Sequence, residues 1–342
     1  MDTIILELAE ELKKAGTADP KLLANIIYKH NRNITDNAQH YSKKRVVSFY
    51  LKTKAQDPKR FESWNLDTQT QCLLDELLKM KPRRTASGVA TITVITKPHP
   101  CSNNCLYCPN DVRMPKSYLY DEPACQRAER NYFDPYLQVV SRLRALTQMG
   151  HITDKIELIV LGGTWNDYPQ EYQIWYISEL FRALNDGDKA QEIAQKRREF
   201  YKQCGLTHDE QELIDFTHDA QSRVTQREQT YNQAVRNLYG TSEAWQKVSA
   251  TQHATLQDIY NLHAINEKAA HRVVGLVVET RPDMITPANL TLMRQLGCTK
   301  VQMGIQSLHP DILAANNRSV TTARIERAFE LQIGRASCRE RV

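Results

Sequence analysis

The sequence has no apolar run of membrane-spanning length and no low-complexity tract. Its start, MDTIILELAEELKKAG, lacks the basic head and apolar core of a secretion signal and reads instead as an amphipathic helix. Both absences point to the cytoplasm, with no membrane partner. A further absence sits inside KPHPCSNNCLYCPND (97–111), where Cys101, Cys105 and Cys108 stand in C-x3-C-x2-C spacing with no fourth cysteine beside them. The other cysteines lie far off at 72, 125, 204, 298 and 338. In a cytosolic chain of 342 residues, three clustered thiols suggest a metal rather than disulfides.

The composition is that of an ordinary folded protein, 25% charged and 41% hydrophobic. Charge is uneven. Residues 1–84 hold 16 Lys+Arg against 11 Asp+Glu, a net of +5 that equals the net charge of the whole chain. Lys43, Lys44, Arg45, Lys52, Lys54, Lys59, Arg60, Lys79, Lys81, Arg83 and Arg84 carry it, with Tyr41, Phe49, Tyr50, Phe61 and Trp64 between them. Apolar residues three and four apart over 4–12, 22–28 and 73–80 predict helices, so 1–84 reads as a small helical, basic domain. Such a patch suits a phosphate backbone through counterion release, or is simply a solvated face.

The pattern then changes. ATITVITKP (90–98), IELIVLGG (156–163), VVGLVVET (273–280) and KVQMGIQS (300–307) are nearly continuous apolar runs, as strands buried on both faces of a parallel sheet require. Helical patterns at 134–149, 170–184 and 287–296 alternate with them, which predicts an α/β fold over 85–332. Sites in such folds gather at the C-terminal ends of strands, where the cysteine loop, Gly162-Gly163-Thr164, Glu279 and Arg281, and Gln306 fall. Residues 186–270, rich in Gln, Glu, Lys and Arg, predict a helical insertion forming a surface hairpin. The last ten residues, IGRASCRERV (333–342), read as an adapter-derived scar, with a C-terminal part of the protein missing.

Zinc usually takes four ligands, and His99 could supply a fourth. A [4Fe–4S] cluster takes thiolates; held by three, it leaves one iron for a chelating small molecule. The spacing, its place after the first strand and the aromatic Tyr107 before the last cysteine match the signature of the radical S-adenosylmethionine (SAM) superfamily, and so a partial (β/α) barrel. On that resemblance Gly162 and Gly163 would approach the SAM amino group, or merely form a tight turn. Glu279 would meet ribose or amino group, or pair with Arg281. Gln306 would bond the ribose, or cap its strand. Arg318 would hold the carboxylate, since guanidinium forks match carboxylates, or lie exposed at a helix end.

RTASGV, YLYDEPACQRA, FDPYLQVVSRLRALTQMGH, KIELIVLGGTWNDYP, HRVVGLVVETRPD and GCTKVQMGIQSLHPDIL together resemble the family of the Elongator catalytic subunit and its single-chain bacterial relatives. The resemblance covers about 28–332 apart from the insertion. It implies a tRNA-binding N-terminal region, a radical SAM domain and a C-terminal acetyltransferase-like domain whose acetyl-CoA site is not in this chain. It implies carboxymethylation of C5 of a wobble uridine, with hydrogen abstracted from the acetyl methyl of acetyl-CoA. Cys101, Cys105 and Cys108 would hold the cluster; Tyr107, Gly162, Gly163, Thr164, Glu279, Gln306 and Arg318 would seat SAM; Lys43, Lys44, Arg45, Lys52, Lys54, Arg83 and Arg84 would hold tRNA. Accessory subunits and self-association stay open. Two of six barrel strands would be missing, so the chain is expected not to complete the reaction. The alternatives are another radical SAM enzyme of porphyrin-oxidase or methylthiotransferase type, and a zinc-stabilised RNA-binding module. A protein acetyltransferase would need residues that this chain does not hold.

Overall fold

The computed structural model describes residues 1–32, 34–36 and 39–337; Cys338–Val342, half of the expected scar, lie outside the described residues. The chain divides into two compact units, Met1–Ala90 with Arg142–Thr153, and Thr91–Ser141 with Asp154–Val342.

The first unit is helical: α1 (Asp2–Ala15), α2 (Pro20–Asn31), α3 (Lys43–Gln56), α4 (Pro58–Ser63) and α5 (Thr68–Leu77). Aspartates or serine cap four of them. Asp19, Ser42, Asp57 and Asp67 each accept a first-turn backbone N–H, and Gly16 ends α1 in the left-handed conformation. The apolar stripes meet in one core of Ile4, Ile5, Leu8, Leu12, Val46, Val47, Tyr50 and Leu74, none of them exposed. The aromatics that alternate with lysines in sequence are part of that core. Tyr50 and Trp64 stack at 6.2 Å and Phe61 lies 5.4 Å from Trp64. The segment 142–153 joins by Met80 N–H donating to the Met149 carbonyl at 2.9 Å and by Thr85 Oγ1 to His151 Nδ1 at 3.0 Å.

The second unit is built on β1 (Ala90–Ile95), β2 (Lys155–Leu161), β3 (Arg272–Thr280) and β4 (Lys300–Met303), in spatial order β1-β2-β3-β4. The β2–β3 and β3–β4 pairs are parallel, with Val278 beside both Val160 and Val301. This is the α/β architecture that the alternating pattern predicts. Helices α6 (Pro123–Glu129), α7 (Pro135–Gln148), α8 (Gln170–Asn185), α14 (Pro287–Gln295), α15 (Pro310–Ala315) and α16 (Thr322–Ser337) connect or follow the strands. The run 300–307 stops being a strand at Met303, and Gln306 in the turn beyond it sits at a φ of +73°.

Residues 186–270 form no hairpin. They fold as α9 (Ala190–Gln203), α10 (Glu210–Thr225), α11 (Tyr231–Val235), a π-turn (Arg236–Gly240), α12 (Glu243–Ser249) and α13 (Leu256–Asn266). Tyr201, Tyr231, Ala234, Val235, Tyr239, Trp245 and Val248 are buried among them, so a polar sequence still makes a packed layer. Among the described residues no helix is long and apolar enough to cross a membrane.

One ion pair of the first unit has a readable pH signature. The Arg60 guanidinium grips Asp2 through two hydrogen bonds, at 2.9 and 2.5 Å, and holds its carboxyl down to about 2 against burial, with Trp64 Nε1 helping at 3.0 Å. A depressed folded-state pKa contributes stability above the unfolded value of about 4, lost as pH falls through the folded one. Asp2→Asn should therefore flatten the acid limb of stability between about pH 4 and pH 2; urea titrations across that range would show the difference from the parent chain.

Candidate functional site

A cavity of about 300 Å³ opens at the C-terminal ends of all four strands. Cys101, Cys105 and Cys108 line it from the loop after β1, Gly163 and Thr164 from the turn after β2, Glu279 and Arg281 from β3 and its end, Gln306 from the turn after β4, and Arg318 from beyond α15. The topology explains the convergence: parallel strands deliver every following loop to one edge.

Of the residues singled out in the sequence, Tyr107 and Gly162 do not line this cavity. Tyr107 is 43% exposed; burial of its hydroxyl and a hydrogen bond with Cys105 push its pKa up. Gly162 is required for packing rather than for access. Its φ is +145°, and a Cβ there would stand 1.7 Å from Thr96 Oγ1. Gly163, at φ +84°, lines the cavity and keeps clear of the Lys116 carbonyl.

The arginines organise the charge. Arg281, 6% exposed, grips Asp283 through Nε at 3.0 Å and Nη2 at 2.7 Å. It also donates to Ser102 Oγ at 2.6 Å, Thr164 Oγ1 at 3.2 Å, Asp167 Oδ2 at 3.3 Å and Cys101 Sγ at 3.5 Å. Burial works against its charge, but Asp283 and Asp167 more than offset that. Arg318 is buried as well, not exposed at a helix end; it donates to the Gly304 carbonyl and, at 3.6 Å, to Cys105 Sγ, while its Nε is buried without a partner. Guanidinium donors thus reach two of the three sulfurs, but burial outweighs Arg281 at Cys101 and pushes that thiol up.

Glu279 is not paired with Arg281. Tyr118 donates to its Oε2 at 2.6 Å, and burial pushes the carboxyl above the usual range, opposed by that bond. Lys116, 4% exposed, also lines the cavity and donates to Asn110 Oδ1; burial pushes its pKa down against the pull of the nearby thiols. Gly304 has Gln306 Nε2 3.2 Å from where a Cβ would stand. Tyr118, Lys116 and Gly304 escaped the sequence reading, which placed Arg281 at its strand end but gave it no role beyond a partner for Glu279. The glycine in MGIQS was visible, but nothing in the spacing separates a cavity-lining residue from a surface one.

The donor set, three thiols with cationic donors around them, suits a thiolate-bound iron–sulfur cluster in its chemistry. The sulfurs are not drawn together, however: among the described residues no three His, Cys, Asp or Glu side chains form a metal-holding group. His99 offers no fourth ligand at this cavity; it stacks on Tyr168 at 4.7 Å, and burial pushes its pKa down.

The proposed nucleic-acid residues all fall in the first unit. Lys44, Arg45, Lys52, Arg83 and Arg84 are exposed and Lys43 is half-buried. Lys54 is engaged otherwise, donating to both Asp75 oxygens at 2.9 and 2.7 Å. Arg84 stands near enough to Arg142 and His151 to lower both their pKa values, in each case after burial.

This is an α/β protein with a cysteine-lined, arginine-braced cavity at the C-terminal edge of a parallel sheet. It belongs to the family of the tRNA uridine(34) acetyltransferases and Elongator complex protein 3. The chain is 29% identical over 320 residues to the tRNA uridine(34) acetyltransferase of Methanocaldococcus infernus, covering 92% of this chain and 44% of that protein. It is 32% identical over 232 residues to that of Dehalococcoides mccartyi, covering 68% and 36%. Against Elongator complex protein 3 of Bos taurus it is 30% identical over 265 residues, covering 74% and 36%. The chain thus spans less than half the length of each of these relatives. A solved archaeal M. infernus Elp3 with an N-terminal deletion aligns over 70% of this chain and 34% of that one, at 24% identity and a TM-score of 0.40. No family model matches the chain.

Removing the guanidinium should show how far the cavity depends on it. Arg281→Met strands Asp167 and Asp283 without their buried partner and should lower unfolding free energy by about 3–5 kcal/mol at neutral pH. Although burial opposes it, Arg281 holds the Asp283 carboxyl below its usual range. That contribution is present above the unfolded pKa and is lost as pH falls through the folded one. The gap between parent and variant, read by denaturant titration, should therefore close on acidification.

Proposed function

We propose that this chain carries the cluster- and SAM-binding part of a tRNA-modifying enzyme that carboxymethylates C5 of a wobble uridine with acetyl-CoA as co-substrate. The observation that supports it most is the cavity itself: three cysteines in C-x3-C-x2-C spacing share one wall-set with Gly163, Thr164, Glu279, Gln306 and Arg318. The relatives carry the tRNA uridine(34) part of the reading in their names.

Cys101, Cys105 and Cys108 would hold the cluster. Bound there, a [4Fe–4S] cluster would supply the reductive cleavage of SAM and so the means of abstracting hydrogen from an acetyl methyl. The chain's own residues act around it. Arg281 and Arg318 donate to Cys101 and Cys105 and so offset thiolate charge. The unpartnered Nε of Arg318 leaves that guanidinium a donor to spare for a carboxylate. Tyr118 occupies Glu279 Oε2 and fixes the carboxyl, so that Oε1 serves to accept from a ribose hydroxyl or an amino group. Gly163 and Gly304 keep side chains out of the ligand's path. Tyr107, exposed beside Cys105, would cover the open side once a ligand sits there. Lys44, Arg45, Lys52, Arg83 and Arg84 would track the tRNA backbone, and the target uridine must leave its stack to reach a buried centre.

Anaerobic reconstitution with iron and sulfide tests the first part. About four irons per chain are expected, with broad visible absorbance, loss of iron in Cys105→Ala, and SAM binding by calorimetry weakened on the order of tenfold in Arg318→Lys, which keeps charge but loses the fork. Stoichiometric zinc, no iron and no SAM binding would refute it.

The tRNA part has its own test. Binding to unfractionated tRNA should weaken steeply with salt, and Lys52→Ala with Arg84→Ala should reduce the log–log salt slope by roughly one to two. A slope unchanged by the double substitution would remove these residues from the interface.

A further inference from the structure

The helices of 186–270 take no part in the reading above, yet four of their side chains end on the backbone of the cysteine loop. Asn232, in α11, pairs with both polar backbone groups of Cys101: the Cys101 N–H donates to Asn232 Oδ1 at 3.0 Å, and Asn232 Nδ2 donates to the Cys101 carbonyl at 2.8 Å. Gln221, in α10, repeats the arrangement ten residues along. It accepts from Val112 N–H at 2.9 Å and donates to the Asn110 carbonyl at 3.2 Å. Tyr231 donates to the Met114 carbonyl at 2.7 Å, and its ring lies 4.8 Å from the Lys116 ammonium. Tyr239, inside the π-turn, donates to the Arg113 carbonyl at 3.3 Å.

An amide side chain that satisfies an N–H and a C=O on one segment does what a neighbouring strand would do. The loop needs such help. Its own backbone bonds are short turns, Cys108 to Cys105, Met114 to Asp111 and Tyr118 to Pro115, plus one from Leu106 to Asn316. Nothing in the loop's own turns bonds the Cys101 backbone. The π-turn adds one residue to the helical register just where Tyr239 meets the loop, a distortion that recurs at functional positions.

We propose that the insertion is a clamp on the cysteine loop, with Asn232 and Gln221 as positioning residues that set the backbone from which the Cys101 thiol projects. The clamp goes beyond the cluster reading and holds whether or not the chain takes up iron.

Amide hydrogen exchange on the full chain, without added metal, reads it directly. In Asn232→Leu, peptides spanning 99–114 should exchange at least roughly tenfold faster, while peptides of the first unit and of β2 and β3 keep their rates. Asn232→Asp retains the acceptor for the Cys101 N–H and should recover part of the protection. Gln221→Met, which sits on a different helix, should loosen 109–114 and keeps the test open if Asn232→Leu does not fold. Unchanged exchange over 99–114 in Asn232→Leu and in Gln221→Met would overturn the clamp. So would acceleration spread evenly over the chain, which marks general destabilisation. On reconstituted protein, a clamp also predicts a shifted electron paramagnetic resonance spectrum of the reduced centre in Asn232→Asp at unchanged iron content. If exchange responds but no iron is taken up, the clamp stands and the cluster reading fails.

Discussion

The cavity depends on one buried positive charge. A parallel sheet brings its C-terminal loops together whatever their chemistry, and here those loops bring Asp167, Asp283 and a cysteine sulfur into a space nearly closed to water. Arg281 makes that juxtaposition tenable. Its planar fork meets Asp283 face on and leaves further N–H groups for Ser102, Thr164, Asp167 and Cys101. A lysine could not span these directions at once. Loops after β1, β2 and β3 are thereby tied to one side chain, and the positions of Cys101 and Thr164 become properties of β3 as much as of their own loops. Arg318 does the same on a smaller scale, joining Cys105 to the Gly304 carbonyl after β4.

What the sequence makes legible follows from what periodicity and spacing encode. Four apolar runs give four strands, although the burial on both faces that such runs imply is met only toward the ends of β1 and β3; β2 alternates and β4 has no buried residue. Their C-terminal ends then give the place of the cavity, and the cysteine spacing picks out the loop that forms one of its walls. Side-chain direction is the part that such reasoning does not reach. Gly162 and Gly163 are adjacent and alike in sequence, yet one packs on Thr96 and the other borders the cavity. Glu279 and Arg281 look like a pair at i and i+2, positions that share a face along an extended strand, but β3 ends at Thr280 between them and each finds its partner elsewhere, Tyr118 for one and Asp283 for the other. Lys116 and Tyr118 follow the cysteines at a distance set by loop geometry, which carries no period at all.

The first unit shows the same division between pattern and placement. Helical periodicity forecasts its core, and capping aspartates mark the helix starts. Which lysines face solvent is decided by partners far along the chain. Lys52 and Lys54 are two residues apart on α3, and only Lys54 finds Asp75. The interleaved aromatics, which by composition could have been stacking platforms for bases, spend their area on one another.

Gln306 carries a cost that its neighbours do not. A side chain held at a φ of +73° is in territory where glycine is at ease, and an exchange to glycine would relax the backbone by about 1 kcal/mol. The amide beside Gly304 and Arg318 would be lost with it. Selection for thermal stability alone, in a mutant library of this chain, would drift toward glycine at that turn and empty one wall of the cavity. Screens that reward folding and screens that reward ligand capture should thus diverge at this position first, and the divergence would itself mark the cavity as the place where the molecule has traded rigidity for recognition.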